Sequence, residues 1–127
     1  MLLKLVVGML LVSGAATVKC GMVSFTGKVL CGGRYTDQAV IELYEEDLFF
    51  DDYVGDTTPN KQGAYAVSGY VGDGWFDWEC EPYVFVIHRC KNKSCRAFKN
   101  YGRSSVIDLD HGDFTEYPKC ARVAYIS

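Results

Sequence analysis

The segments Gly63-Ala-Tyr-Ala-Val-Ser-Gly69 and Glu81-Pro-Tyr-Val-Phe-Val-Ile-His-Arg-Cys90 decide the fold class. The first is a short aromatic and aliphatic run opened and closed by glycine. Its alternation puts Tyr65, Val67 and Val71 on one face of a strand. The second is apolar on both faces from Tyr83 to Cys90, which predicts a central strand covered on both sides. Upstream, Met22 to Cys31 alternates, with Val23, Phe25, Val29 and Cys31 on one side. Ala39 to Glu46 alternates again, with Ile41 and Leu43 facing away from Glu42 and Tyr44. Between these two runs, Cys31-Gly-Gly-Arg34 is a turn, because glycine admits positive φ. Tyr53 to Thr57 reads as a short edge strand. Val106 to Leu109 and Ala121 to Ile126 read as the last strands. Long amphipathic runs of 3.6-residue period are absent. Short β-branched and aromatic runs at this spacing predict an all-β, two-sheet sandwich of seven or eight strands.

The N-terminus reads differently. Lys4 gives a short positive region, Leu5-Val-Val-Gly-Met-Leu-Leu-Val12 an apolar one, and Ser13-Gly-Ala-Ala16 a small-residue cleavage site. That is the pattern of a secretory signal peptide, too short to span a bilayer. Residues 1–16 are therefore expected to be removed after Ala15 or Ala16. Residues 17–127 are expected to form one domain of about 110 residues. All six cysteines lie in that domain. An even count in a short secreted chain predicts a disulfide framework rather than a zinc site. Six cysteines allow about 15 pairings. Strand parity narrows them: Cys31 and Cys90 both end strands and both face inward, so they are expected to bond. Cys95 would then pair with Cys120, and Cys20 with Cys80.

Net charge is −3, but its distribution is uneven. From Asp37 to Glu81 there are twelve acids and one base, Lys61. From Pro82 to Ile107 there are no acids and six bases: Arg89, Lys91, Lys93, Arg96, Lys99 and Arg103. Opposite surface fields on different loops follow, suited to steering partners. The acidic, secreted character argues against nucleic acid. Lys91, Lys93 and Arg96 are candidate contacts for anionic lipid head groups or sulfated glycans, and the basic segment is read as having no opposing acid. Two aromatic loops stand out. Phe49 and Phe50 sit between acidic pairs, and the reading for Phe49 is that it folds back to cap the core. Trp75, Phe76 and Trp78 sit among Asp73, Asp77, Glu79 and Glu81. They are the expected dock for a protein partner, since aromatic residues dominate interface energetics. Asn92-Lys-Ser94 is an N-glycosylation sequon in a polar loop between Cys90 and Cys95.

Catalytic readings find little support. His88 and Cys90 face the same side of one strand, but a bridged cysteine offers no thiolate, so His88 is read as structural. Asp108, Asp110 and Asp113 flank His111 without the spacing of a calcium loop, so no metal is expected. No phosphate-binding loop, nucleophile elbow or zinc-protease helix is present.

Phe25-Thr-Gly-Lys-Val-Leu-Cys31, Val40-Ile-Glu-Leu-Tyr-Glu-Glu-Asp47, Gly63 to Gly69 and Glu81 to Cys90, in that order, resemble the nematode transthyretin-like family of small secreted β-sandwich proteins. The resemblance covers residue 22 to about residue 90. It implies a transthyretin-like (prealbumin-like) topology of mostly antiparallel Greek-key sheets. The same fold serves 5-hydroxyisourate hydrolase, which ends in a Tyr-Arg-Gly-Ser tetrapeptide. This chain ends Ala124-Tyr-Ile-Ser127, without the arginine. The expectation is therefore a secreted, extracellular binding protein, not an enzyme, with no cofactor. Its partner would be a protein, an anionic head group or a small apolar ligand. A secreted hydrolase, or a subunit of a ligand-holding oligomer, is the alternative.

Overall fold

The computed structural model describes residues 17–47, 49–72, 79–110, 115–116 and 123–127. Residues 1–16, expected to be a signal peptide, the Trp75-Phe76-Trp78 run, His111, Asp113 and Cys120 lie outside them. The described residues form ten strands: β1 (Val18–Lys19), β2 (Gly21–Cys31), β3 (Arg34–Tyr35), β4 (Ala39–Glu46), β5 (Asp52–Thr57), β6 (Ala64–Val71), β7 (Glu79–His88), β8 (Arg96–Asn100), β9 (Ser104–Asp108) and β10 (Thr115–Glu116). One sheet runs β10-β8-β7-β4-β5, with β1 on β7; the other runs β3-β2-β6, with β9 on β2. Every pairing is antiparallel except β2 with β9, where Thr26–Leu30 lies parallel to Ser104–Asp108. The chain is an all-β, disulfide-stapled sandwich.

The core lies between the sheets and is built by period-2 alternation. Phe25 and Val29 of β2, Ile41 and Leu43 of β4, Val71 of β6, and Val84 and Val86 of β7 are essentially without solvent contact. β7 is central, between β4 and β8. Its outward side chain Ile87 packs under a second small cluster of Val40, Cys95, Ala97 and Val123. That cluster is why Tyr83 to Cys90 reads as apolar on both faces.

Three differences from the sequence expectation have physical causes. β8 was hidden in the basic segment. Only Ala97 is buried in it, and Arg96 and Lys99 mask its alternation. The last expected strand is reduced, among the described residues, to one parallel bridge between Cys90 and Ile126. Two-residue strands β1, β3 and β10 are too short to carry a pattern.

Two turns need glycine. Gly32 and Gly33 have φ of 61° and 76°, and they reverse the chain between β2 and β3. Gly72 has φ of 103°, and a Cβ there would lie 2.7 Å from Cys20 Cβ. Its N–H donates to the buried Glu45 carboxylate at 2.9 Å.

Cys31 is bonded to Cys90, and Cys20 to Cys80. Cys95 is also disulfide-bonded; its expected partner Cys120 lies outside the described residues. Each of the two described bridges ties one sheet to the other, since β2 or the segment leading into it is joined to β7 or its end. Closing a loop of some 60 residues in the unfolded chain is worth about 4 kcal/mol. Replacing Cys31 and Cys90 together by alanine should lower unfolding stability by about that amount. Urea titration at fixed pH checks this.

Candidate functional site

The strand register gathers the chemistry on the outer face of the β4–β7 sheet. Tyr44 on β4 lies opposite Tyr83 on β7 and opposite Tyr53 on β5. A β-bulge between Leu43 and Tyr44 on the β4–β5 pair brings Tyr53 and Asp56 to the same outer face, although they are three residues apart. Tyr44 stacks on Tyr83 at 5.6 Å and meets Tyr53 edge-on at 5.7 Å. Phe85 packs edge-on against Tyr44, and Tyr101 leans on Tyr83. These are favourable aromatic geometries, each worth on the order of 1 kcal/mol beyond burial.

Carboxylates collar the rings. Glu46 is opposite Glu81 across β4 and β7. The Tyr101 hydroxyl donates to Glu46 at 2.7 Å, and the Tyr83 hydroxyl donates to Asp51. Lys99 reaches over the Tyr83 ring, 4.6 Å from its centroid, and donates to Glu46 at 3.1 Å and Asp51 at 3.2 Å. Burial alone would raise the pKa values of Glu46 and Asp51. Tyrosine hydroxyls and the Lys99 ammonium reverse that and hold both below the usual carboxylate range. Glu81 is pushed up, first by burial, then by its hydrogen bond with Glu46 and by the charge of that neighbour. Burial and their carboxylate partners also push the Tyr83 and Tyr101 phenols up, so both stay protonated donors.

The β4–β5 connection continues this face into solvent. Phe49 is 91% exposed and Phe50 72%. The expectation that Phe49 folds back onto the core is thus corrected. Asp47 and Asp51, on either side of the pair, favour a tip held in water. Glu46 and Glu81 place the ends of β4 and β7 together. The expected dock at Trp75, Phe76 and Trp78 lies outside the described residues.

The basic segment is dispersed rather than clustered. Lys99 is committed to Glu46 and Asp51. The Lys91 ammonium lies 3.4 Å from Asp110, whose carboxylate also accepts the Gly32 N–H at 2.8 Å. The reading of this run as having no opposing acid is corrected for both lysines. Lys93 is exposed, and its carbonyl accepts from Arg89. Arg96 begins β8 opposite His88. Asn92, between them, accepts the Ser94 N–H on its side-chain oxygen at 3.0 Å. The structure thus does not unite Lys91, Lys93 and Arg96 with the aromatic face.

His88 is fully buried, edge-on to Phe98. Its Nδ1 accepts the Cys90 N–H at 3.0 Å, which places the proton of the neutral ring on Nε2. Cys90 is bridged, so no thiolate stands beside it. Cys31, Cys90 and Asp110 converge, as do Cys20, Glu45 and Cys80, but in both groups the sulfurs are bonded to each other and offer no metal ligand.

Residues 26–103 match the sequence profile of the transthyretin-like family. The chain belongs to that family. A search of curated proteins returns no match. Among solved structures, the chain is similar to a 9R-lipoxygenase from Cyanothece PCC8801 at 14% identity and a TM-score of 0.43. The likeness covers 70% of this chain and 16% of that one. It carries no functional argument.

The burial of His88 has a measurable consequence. Burial, aided by Arg96, pulls its pKa from 6.5 down to about 4. The unfolded chain therefore binds a proton that the folded chain refuses between those values. The stability held by neutral His88 is complete above the unfolded pKa and is lost as pH falls toward the folded one, by about 3 kcal/mol in all. His88→Gln keeps an acceptor for the Cys90 N–H without the titration. Urea midpoints at pH 7 and pH 4 should show a larger acid loss in the wild type than in this variant.

Proposed function

We propose that the chain is a secreted extracellular binding protein whose partner is a protein with a basic surface. The partner docks on the Phe49–Phe50 tip and the adjoining tyrosine face. The observation that carries this reading is the exposure of two adjacent phenylalanines at 91% and 72% on a tip bounded by acids. Water-exposed aromatic pairs cost free energy unless something covers them, and they are the side chains that dominate interfaces. The tyrosines behind them supply rigid amphipathic contact area with little rotamer entropy to lose. Glu42, Asp56 and Glu81, with Glu46 and Asp51 sharing the single charge of Lys99, form a rim of net negative charge that favours lysine and arginine and rejects acidic surfaces. Anionic lipid or sulfated glycan fits this face poorly. Lys91 and Lys99, two of the cations that would attract them, are already matched by acids. Among the described residues no helix is long and apolar enough to cross a membrane.

The test uses a photo-reactive group placed at position 50 and, as control, at Ser24 on the outer face of the other sheet. Position 50 should cross-link a partner from extracellular fluid, with competition by unlabelled wild type. Phe49→Ser with Phe50→Ser should weaken that competition by about thirty-fold, roughly 2 kcal/mol. Equal labelling from both faces, or full competition by the double variant, would sink the reading.

The same reading places residues 1–16 as a leader and Asn92 as a glycan acceptor. Asn92 is in a turn outside the strands, with its amide oxygen already turned to Ser94. Protein collected from the medium of a eukaryotic secretory host should begin at Ala16 or Thr17. It should lose mass on peptide N-glycosidase treatment, and Asn92→Gln should not. An intact Met1 terminus or an unchanged mass counts against it.

A further inference from the structure

We propose that Tyr53 is a site of tyrosine O-sulfation, and that the sulfate ester completes the acidic docking face. The inference rests on the reading above, since it requires passage through the secretory route. The sequence alone does not choose among tyrosines, because Tyr44 and Tyr53 both lie in the acidic run. The fold separates them. Tyr44 is on an interior strand, enclosed by Tyr53, Tyr83 and Phe85. Tyr53 stands on edge strand β5 beside the bulge and is 54% exposed. Asp51 and Asp52 precede it, Asp56 follows it, and no basic residue lies between Arg34 and Lys61.

Among the described residues, the other exposed tyrosines lack this setting. Tyr35 adjoins Arg34, with Lys28 over its ring. Tyr70 has no acid within two residues on either side, and Tyr125 has none nearer than Glu116. A sulfotransferase must hold a polyanionic donor, so its acceptor channel is positive. A tyrosine flanked in sequence by acids and by no base is drawn to such a field.

The step is a group transfer without redox change. The Tyr53 phenolic oxygen forms a bond to the sulfur of an activated sulfate, a mixed anhydride of sulfate with a nucleoside phosphate. The bond from sulfur to the bridging oxygen breaks, and the nucleoside phosphate leaves with the electron pair. The phenolic proton, directed to Asp56 in the folded chain, passes to a base of the transferase. The product carries a permanent negative charge beside Asp56 at the edge of the tyrosine face. It presents acceptor oxygens of the kind that guanidinium and ammonium groups seek.

The experiment takes full-length protein from a secretory eukaryotic host and measures intact and peptide masses of what reaches the medium. The peptide holding Tyr53 should gain the mass of one SO3 group. The gain should resist phosphatase and vanish when the cells are grown in chlorate. Tyr53→Phe, which keeps the ring, should abolish it, and Tyr44→Phe should leave it. Secreted protein with unmodified Tyr53, a gain on another tyrosine, or a gain that phosphatase removes overturns this proposal alone. Retention of the protein inside the cells overturns the secretory reading together with it.

Discussion

The antiparallel register of β4 on β7, Ala39 opposite His88 through Glu46 opposite Glu81, is the constraint on which the rest depends. A strand alternates strictly, so this register fixes two surfaces at once. Inward it aligns Ile41 with Val86 and Leu43 with Val84, the centre of the core. Outward it aligns Tyr44 with Tyr83 and Glu46 with Glu81. A one-residue slip would bury the acids and expose the core. The driving force that selects the register is therefore hydrophobic, and the tyrosine face follows from it.

The sandwich was legible because its core strands obey simple patterns. Val23, Phe25, Val29 and Cys31 announce the inner face of β2, and all are buried. The inward parity of Cys31 and Cys90 pointed to the bridge that joins them. Strands whose stability comes from neighbours were less legible. β8 carries one buried side chain, Ala97, and one half-buried, Phe98, bounded by Arg96 and Lys99. It is a strand because β7 offers an unpaired edge, and sequence pattern does not report a vacant edge.

The candidate site was legible only as fragments. Charge asymmetry drew attention to the basic run, yet Lys99 reaches acids that stand 53 and 48 residues away. Contacts of that separation depend on register and bulge, neither of which leaves a local mark. Tyr44 was placed by parity, but its stacking on Tyr83 needed the pairing of β4 with β7. Phe49 shows the opposite case. Apolar character suggested burial, while the neighbouring acids argued for water. The acids prevailed, and Phe49 stands in water.

The same separation of roles explains why family membership settles the scaffold and leaves the partner to the loops. The match to the transthyretin-like family spans residues 26–103, which hold the inward-facing core positions of β4, β6 and β7 and, from β2, Val29 and Cys31. Those positions answer to packing density, which tolerates little change. The outer-face tyrosines and the Phe49–Phe50 tip answer to no core demand. Lys99 is one cation shared by two carboxylates, Glu46 and Asp51, and the face keeps a negative excess. An excess held in place by hydrogen bonds from Tyr83 and Tyr101 is preorganised: no side chain must reorder when a cation arrives. Preorganisation lowers the entropic cost of association. It also makes discrimination by sign strong, because rigid acids do not swing away from an acidic competitor.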